Sequence, residues 1–480
     1  MCYKEDNIMK KWLCAAAAAV IGAASLCSFA GCGKGDGRIK VSIGMWPDSS
    51  QNQDLAMFEQ WAEAFEKDYP EYRIVGDRYE YNAQTITAKA TSHQLPTVFQ
   101  TYFTEPQKLI DNGWVADITD ELSELGWLDK MDPDMRAAVS KDGRCYGVPR
   151  DGYGMGLFLN LAMLYDVGVI DKDADGNYKL HDDEGNPLYP TTFDEIREVS
   201  EKIVEAYDST YGLVILSANN NGGWQFSNMA WNFGCEAMQV EGANGKYTAN
   251  LNDAGAVKAL QWIQEMAKDN LIYPDASLTY ADWYAKIGSN NVAMAFCGND
   301  QLMLPVTTYK FDKNDIAFVP MPTGDGESRY SLYGGTPYVF TSDATKDQIK
   351  GALLFLKYMG RSPETDDVSV NAIKLGHQTA EAKGMPIIPT IRPWTNTEFL
   401  TIANQLDEQY MNVNPYYYQD FFNSLEQTKR SEEPYYCQDM YKLLDSAIQN
   451  VLANPGSANC QSLLNTANNQ FQNNFLNKIK

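Results

Sequence analysis

Residues 146–160 read YGVPRDGYGMGLFLN. Gly147, Gly152, Gly154 and Gly156 are interleaved with Pro149 and aromatic side chains, and the stretch closes on the apolar run Leu157-Phe158-Leu159. A glycine-rich extended segment of this kind suits a hinge strand that crosses between two lobes. The flanking sequence agrees. Upstream, Ile39, Val41, Ile43 and Met45 share one parity and predict a strand ending at Trp46-Pro47. Leu55, Phe58, Trp61, Ala62 and Phe65 then recur at helical spacing until Tyr69-Pro70. A strand over 72–75, a helix over 83–92 and a strand over 98–102 complete a β-α-β-α-β run, the pattern of a parallel sheet covered by helices. Downstream comes a second α/β block. It holds strands over 213–216, 292–296 and 316–319 and a helix over 254–266. Tyr333-Gly334-Gly335 leads into a strand over 337–341, followed by a helix over 346–359. The tail is helical and amide-rich, broken at Asn454-Pro455-Gly456.

The N-terminus predicts export. Lys10 and Lys11 precede an uncharged stretch from Trp12 to Ala30, and Phe29-Ala30-Gly31-Cys32 closes it. The last four residues resemble the lipobox of bacterial lipoproteins, with Phe29 where Leu is usual. Residues 1–31 are therefore expected to be a signal peptide, Cys32 to carry lipid, and residues 32–38 to form a flexible polar tether. The formal net charge of −24 argues against nucleic acid as a partner, because a phosphate backbone demands clustered cations. Contact with the membrane is expected through the lipid alone. Outside the signal and Cys32, Cys145, Cys235, Cys297, Cys437 and Cys460 form no CxxC and are odd in number; they read as buried thiols.

Four stretches, in order, resemble the family 1 extracellular solute-binding proteins. They are Gln94-Leu95-Pro96-Thr97-Val98-Phe99, the crossing at 146–160, Val292-Ala293-Met294-Ala295-Phe296-Cys297-Gly298, and Tyr333-Gly334-Gly335 with the helix after it. Two positions depart: Asn290 where the family often has Gly, and Asp300 where it often has Trp. The resemblance implies an α/β, two-lobed periplasmic-binding-protein fold of type II, with two or three hinge crossings. Lobe 1 would comprise 39–151 and 336–428, and lobe 2 would comprise 152–335 and 429–480. It implies a monomer that captures a carbohydrate in the interlobe cleft and delivers it to ABC permease subunits.

Sugars offer apolar ring faces and rings of hydroxyls, so aromatic planes with carboxylates, amides or Arg are the side chains to seek. In doubly wound sheets they belong at the carboxyl ends of strands. Trp46 and Asp48 follow the first strand, and Thr101, Tyr102 and Glu105 the third. Arg150 and Asp151 stand in the crossing. Trp224 and Trp231 flank an Asn- and Gly-rich loop. Asn299 and Asp300 follow the 292–296 strand, Tyr333 precedes the double glycine, and Tyr436 comes from the tail.

Asp171, Asp173, Asp175, Asn177 and Asp182 fit the spacing of a calcium loop, though Asp182 stands where Glu is usual. A β-hairpin across 182–186 reads the same stretch equally well. No catalytic cofactor is expected. The three histidines, His93, His181 and His377, sit in no nucleophile motif, and there is neither HExxH nor a P-loop. A surface-anchored glycoside-active enzyme and a binding protein feeding a sensor kinase are the competing readings.

Overall fold

The computed structural model describes residues 37–243 and 245–479; the predicted signal and Cys32 lie outside the described residues. One mixed sheet of nine strands runs through the molecule. Its first half holds β1 (Ile39–Ile43), β2 (Tyr72–Gly76) and β3 (Val98–Gln100), with β1 parallel to both neighbours, as the β-α-β-α-β reading requires. The second half holds β5 (Tyr211–Val214), β6 (Val292–Gly298) and β7 (Ile316–Val319). Between them lie two long strands, β4 (Gly147–Asn160) and β8 (Ser331–Phe340), paired antiparallel from Val339↔Gly147 to Tyr333↔Gly154. A short β9 (Lys429–Ser431) borders β8.

Those two strands make the molecule two-lobed, because each feeds two separate cores. Val148 of β4 packs with Val41, Phe65 and Phe355, whereas Met155, Leu157 and Phe158 of the same strand pack with Leu213, Trp262 and Phe296. On β8, Tyr338 and Phe340 join the first core and Leu332 the second. A third crossing follows helix α6, described below. Bare backbone is needed where β4 faces β8. A Cβ on Gly335 would come within 2.5 Å of the Phe103 ring, and one on Gly334 within 2.9 Å of Glu432 Oε2.

Helix α1 (Asn52–Asp68) buries Trp61 and Phe65 and stops at Tyr69, as Pro70 dictates. Helices α2 (Asn221–Asn232) and α3 (Ala254–Lys268) cover the second lobe. Helix α4 (Lys346–Tyr358) opens with a capping box formed by Thr345 and Gln348. Then come α5 (Asp367–Ala382), α6 (Thr397–Tyr410), α7 (Gln419–Thr428) and α8 (Cys437–Ala453). Ala403 of α6 belongs to the first core and Val413 to the second. The chain therefore re-enters the second lobe near residue 411, earlier than the 428/429 boundary expected. Phe421 of α7 stacks edge-on against Phe318, and Tyr417 Oη accepts from the Tyr178 amide at 2.9 Å. An amphipathic tail helix carries no signal of which lobe its apolar face meets.

The five cysteines of the body are free and buried. No helix among the described residues is long and apolar enough to cross a membrane.

Candidate ligand cleft between the lobes

Three cavities of about 680, 360 and 400 Å3 meet around the β4–β8 crossing. The first and second share Tyr102 and Thr336; the second and third share Asp300.

The first cavity lies against the lobe of β1, β2 and β3, the smaller of the two. Trp46 and Asp48, carried just past the end of β1, line it with Thr101 and Tyr102, just past the end of β3. The Trp46 ring lies over Gly76 and meets Phe58 edge-on at 5.4 Å. Asp48 accepts from the Ser50 amide at 2.9 Å and from Arg78 at 2.6 Å, and these contacts hold its carboxyl below the usual range. Tyr102 is 48% exposed, the open aromatic face of this wall.

The second cavity is walled mainly by the larger lobe. Arg150 and Tyr153 come from β4, Trp224 from the first turn of α2, Tyr280 from the start of the helix Tyr280–Gly288 that follows α3, and Asp300 from just past β6. Glu432, Gln438 and Tyr441 arrive from the tail. The start of α2 is held by a buried carboxylate on α8: Asp445 accepts from the Asn220 and Gly223 amides, both at 2.7 Å. Burial pushes the Asp445 carboxyl up to about 6 in spite of those bonds. Burial likewise pushes Asp300 up to about 6 and Glu432 up to about 7. Arg150 is committed, its Nε donating to Asp151 at 2.6 Å and its Nη1 to Gln100 at 3.1 Å.

The third cavity takes Asp151 from the crossing, Asn299 and Asp300 from just past β6, and Met57, Trp61 and His377 from the smaller lobe. Asn299 is 4% exposed and its Oδ1 accepts from the Gly154 amide at 2.9 Å, which ties the end of β6 to the crossing.

Nine of the thirteen ligand candidates thus reach one cleft: Trp46, Asp48, Thr101 and Tyr102, then Arg150, Asp151 and Trp224, then Asn299 and Asp300. Four do not. Trp231 lies two turns beyond Trp224, 1% exposed, donating to Glu433 at 3.3 Å beneath the Arg430 guanidinium. Tyr333 is 6% exposed and covered by Lys429. Glu105 is the N-cap residue of a short helix; it is buried, bonded by Tyr81 and by Lys108 at 3.3 Å, and lines a separate cavity with Tyr436. In the other direction, Arg78, Tyr79 and Tyr81 follow β2, where the strand-end rule could have found them. Tyr153 stood in the crossing itself. Glu432, Gln438 and Tyr441 carried no comparable signal.

The five calcium candidates are spread over two successive hairpin turns. Asp173 Oδ1 accepts from the Asp175 and Asn177 amides at 3.0 and 2.8 Å. Asp182 Oδ1 does the same for Glu184 and Asn186 at 3.0 and 2.7 Å. The second turn is closed by the His181↔Pro187 bridge, the hairpin arrangement of the two readings. Among the described residues no three acidic, His or Cys groups converge as metal ligands.

Two α/β lobes hinged on shared strands, with a cleft lined from both sides, define a periplasmic-binding-protein architecture. The profile of the bacterial extracellular solute-binding proteins matches residues 60–376, and the chain belongs to that family. Solved structures agree on the fold. A sugar transporter from Arthrobacter chlorophenolicus with bound laminaribiose has a TM-score of 0.66 at 14% identity, covering 92% of this chain and 100% of that one. An ABC transporter solute-binding protein from Thermotoga lettingae bound with alpha-D-tagatose gives 0.64 at 14%, covering 90% and 97%. UgpB from Mycobacterium tuberculosis in complex with glycerophosphocholine gives 0.65 at 13%, covering 91% and 98%. No curated protein sequence matches the chain.

Proposed function

We propose that the chain is the capturing component of an ABC importer, held on the outer face of the cell membrane by lipid on Cys32, and that it binds an oligosaccharide without chemical turnover. One observation carries the reading. Aromatic planes and hydrogen-bonding side chains from both lobes line three contiguous cavities around two hinge strands. A ligand touching both lobes shifts the population toward the closed form, the form a permease would recognise. The laminaribiose and tagatose bound in proteins of like fold support a saccharide. The combined volume of the three contiguous cavities supports more than one sugar ring.

The test is a thermal-shift screen of the purified chain, without its first 31 residues, against mono- and oligosaccharides and short peptides. A ligand at a hundredfold its Kd adds about 2.7 kcal/mol of stability. Stabilisation by an oligosaccharide that is recovered intact supports the reading. Its hydrolysis refutes the absence of turnover, and stabilisation by peptides alone refutes the saccharide.

A further inference from the structure

The second cavity has a chemistry that a neutral sugar leaves unbalanced. Its aromatic walls form a rigid corner. Tyr153 and Trp224 lie 5.9 Å apart at 67°, and Trp224 and Tyr280 lie 5.6 Å apart at 70°. Trp224 Nε1 donates to Tyr153 Oη at 3.0 Å, which fixes two of the three rings to each other. Two carboxylates face the same space. Glu432 Oε1 accepts from Tyr441 Oη at 2.8 Å, and Asp300 Oδ2 accepts from Gln301 Nε2 at 2.7 Å. Glu432 accepts no other hydrogen bond among the described residues, while the Asp300 carboxylate also takes its own backbone amide.

Neither has an ion-pair partner among the described residues. The single cation lining this cavity, Arg150, is already bonded to Asp151 and Gln100. Hydroxyl groups can donate to a carboxylate but leave its charge uncompensated. That matters in a site where water is partly excluded. An ammonium group supplies the missing charge, and its positive face is attracted to the π-surfaces of Tyr and Trp as well.

We propose that this cavity selects a cationic saccharide: an oligosaccharide with free amino groups, which place ammonium charge at Glu432 and at Asp300 while a ring lies against Tyr153, Trp224 and Tyr280. This rests on the carbohydrate reading above and narrows it.

The experiment is isothermal titration of the same purified chain with four probes of matched length or charge. They are glucosamine oligosaccharides, their fully N-acetylated counterparts, neutral glucans, and spermidine as an amine without a sugar. Tighter binding of the glucosamine oligomer, by tenfold or more over the acetylated and neutral ones, supports the proposal. That preference should shrink to within about threefold in Glu432→Gln and in Asp300→Asn. Equal or tighter binding of a neutral or acetylated oligomer overturns the proposal and leaves the carbohydrate reading standing. So does a preference that both variants retain. Binding of spermidine with no saccharide binding overturns both, as does the absence of any binding.

Discussion

Glu432→Gln offers a sharp check on the electrostatics of the cleft. In the folded protein burial raises the Glu432 carboxyl from 4.5 to about 7. Glu105, Tyr153, Cys437 and Tyr441 surround it, and the Tyr441 hydroxyl bond opposes the rise without cancelling it. A carboxyl whose folded pKa lies above its unfolded one keeps a proton that the unfolded chain has already released. Stability therefore falls as pH rises through the window from 4.5 to about 7, and the full penalty persists above it. At about 1.4 kcal/mol per pH unit the penalty is at most about 3 kcal/mol, and local relaxation brings it to roughly 1–3 kcal/mol. Gln has no charge to bury and can still accept from Tyr441. The variant should match the parent at pH 4.5 and exceed it at pH 8 by that amount. For a chain of this size the difference corresponds to roughly 1 °C in Tm per kcal/mol, so denaturant midpoints at pH 4.5, 6 and 8 are the better assay. Asp300 and Asp445 also titrate in this range, but they are common to both proteins and largely cancel in the difference. A pH-independent offset, or a variant less stable than the parent at pH 8, would refute the reasoning.

Other substitutions separate cleft from core. Trp224→Ala should weaken ligand binding tenfold or more by calorimetry. Trp231→Ala should cost about 3–5 kcal/mol of stability while the folded fraction binds normally. Gly223→Val would drive a side chain into the Tyr441 backbone where α2 meets α8; a loss of about 1–3 kcal/mol in denaturant melts is expected, with weaker binding because Trp224 shifts. Because Asp173 and Asp182 are already satisfied by turn amides, millimolar calcium should leave the Tm of the chelator-treated protein unchanged. A rise of several degrees would restore the cage reading.

Local pattern alone placed much of this molecule. Strand parity, helical spacing and the glycine-rich crossing at 146–160 are properties of short stretches, and they located both sheet halves and the hinge between them. The rule that ligands gather at carboxyl ends of strands brought Trp46, Tyr102 and Asp300 to the cleft, and the crossing itself brought Arg150, because a strand end sits at a sheet edge whatever the rest of the chain does. Trp224 and Trp231 show the limit. They share one helix face and look alike in sequence, yet Asp445 holds the first at the rim while Glu433 and Arg430 bury the second. Glu432 and Tyr441 show it again, since they reach Tyr153 from nearly three hundred residues away in sequence. Which tail helix docks where, which carboxylate is stripped of water and which cation is already spent are outcomes of long-range packing. Hydrophobic burial is additive along the chain and legible in its periodicity, whereas desolvation and charge pairing depend on neighbours that only the folded chain assembles.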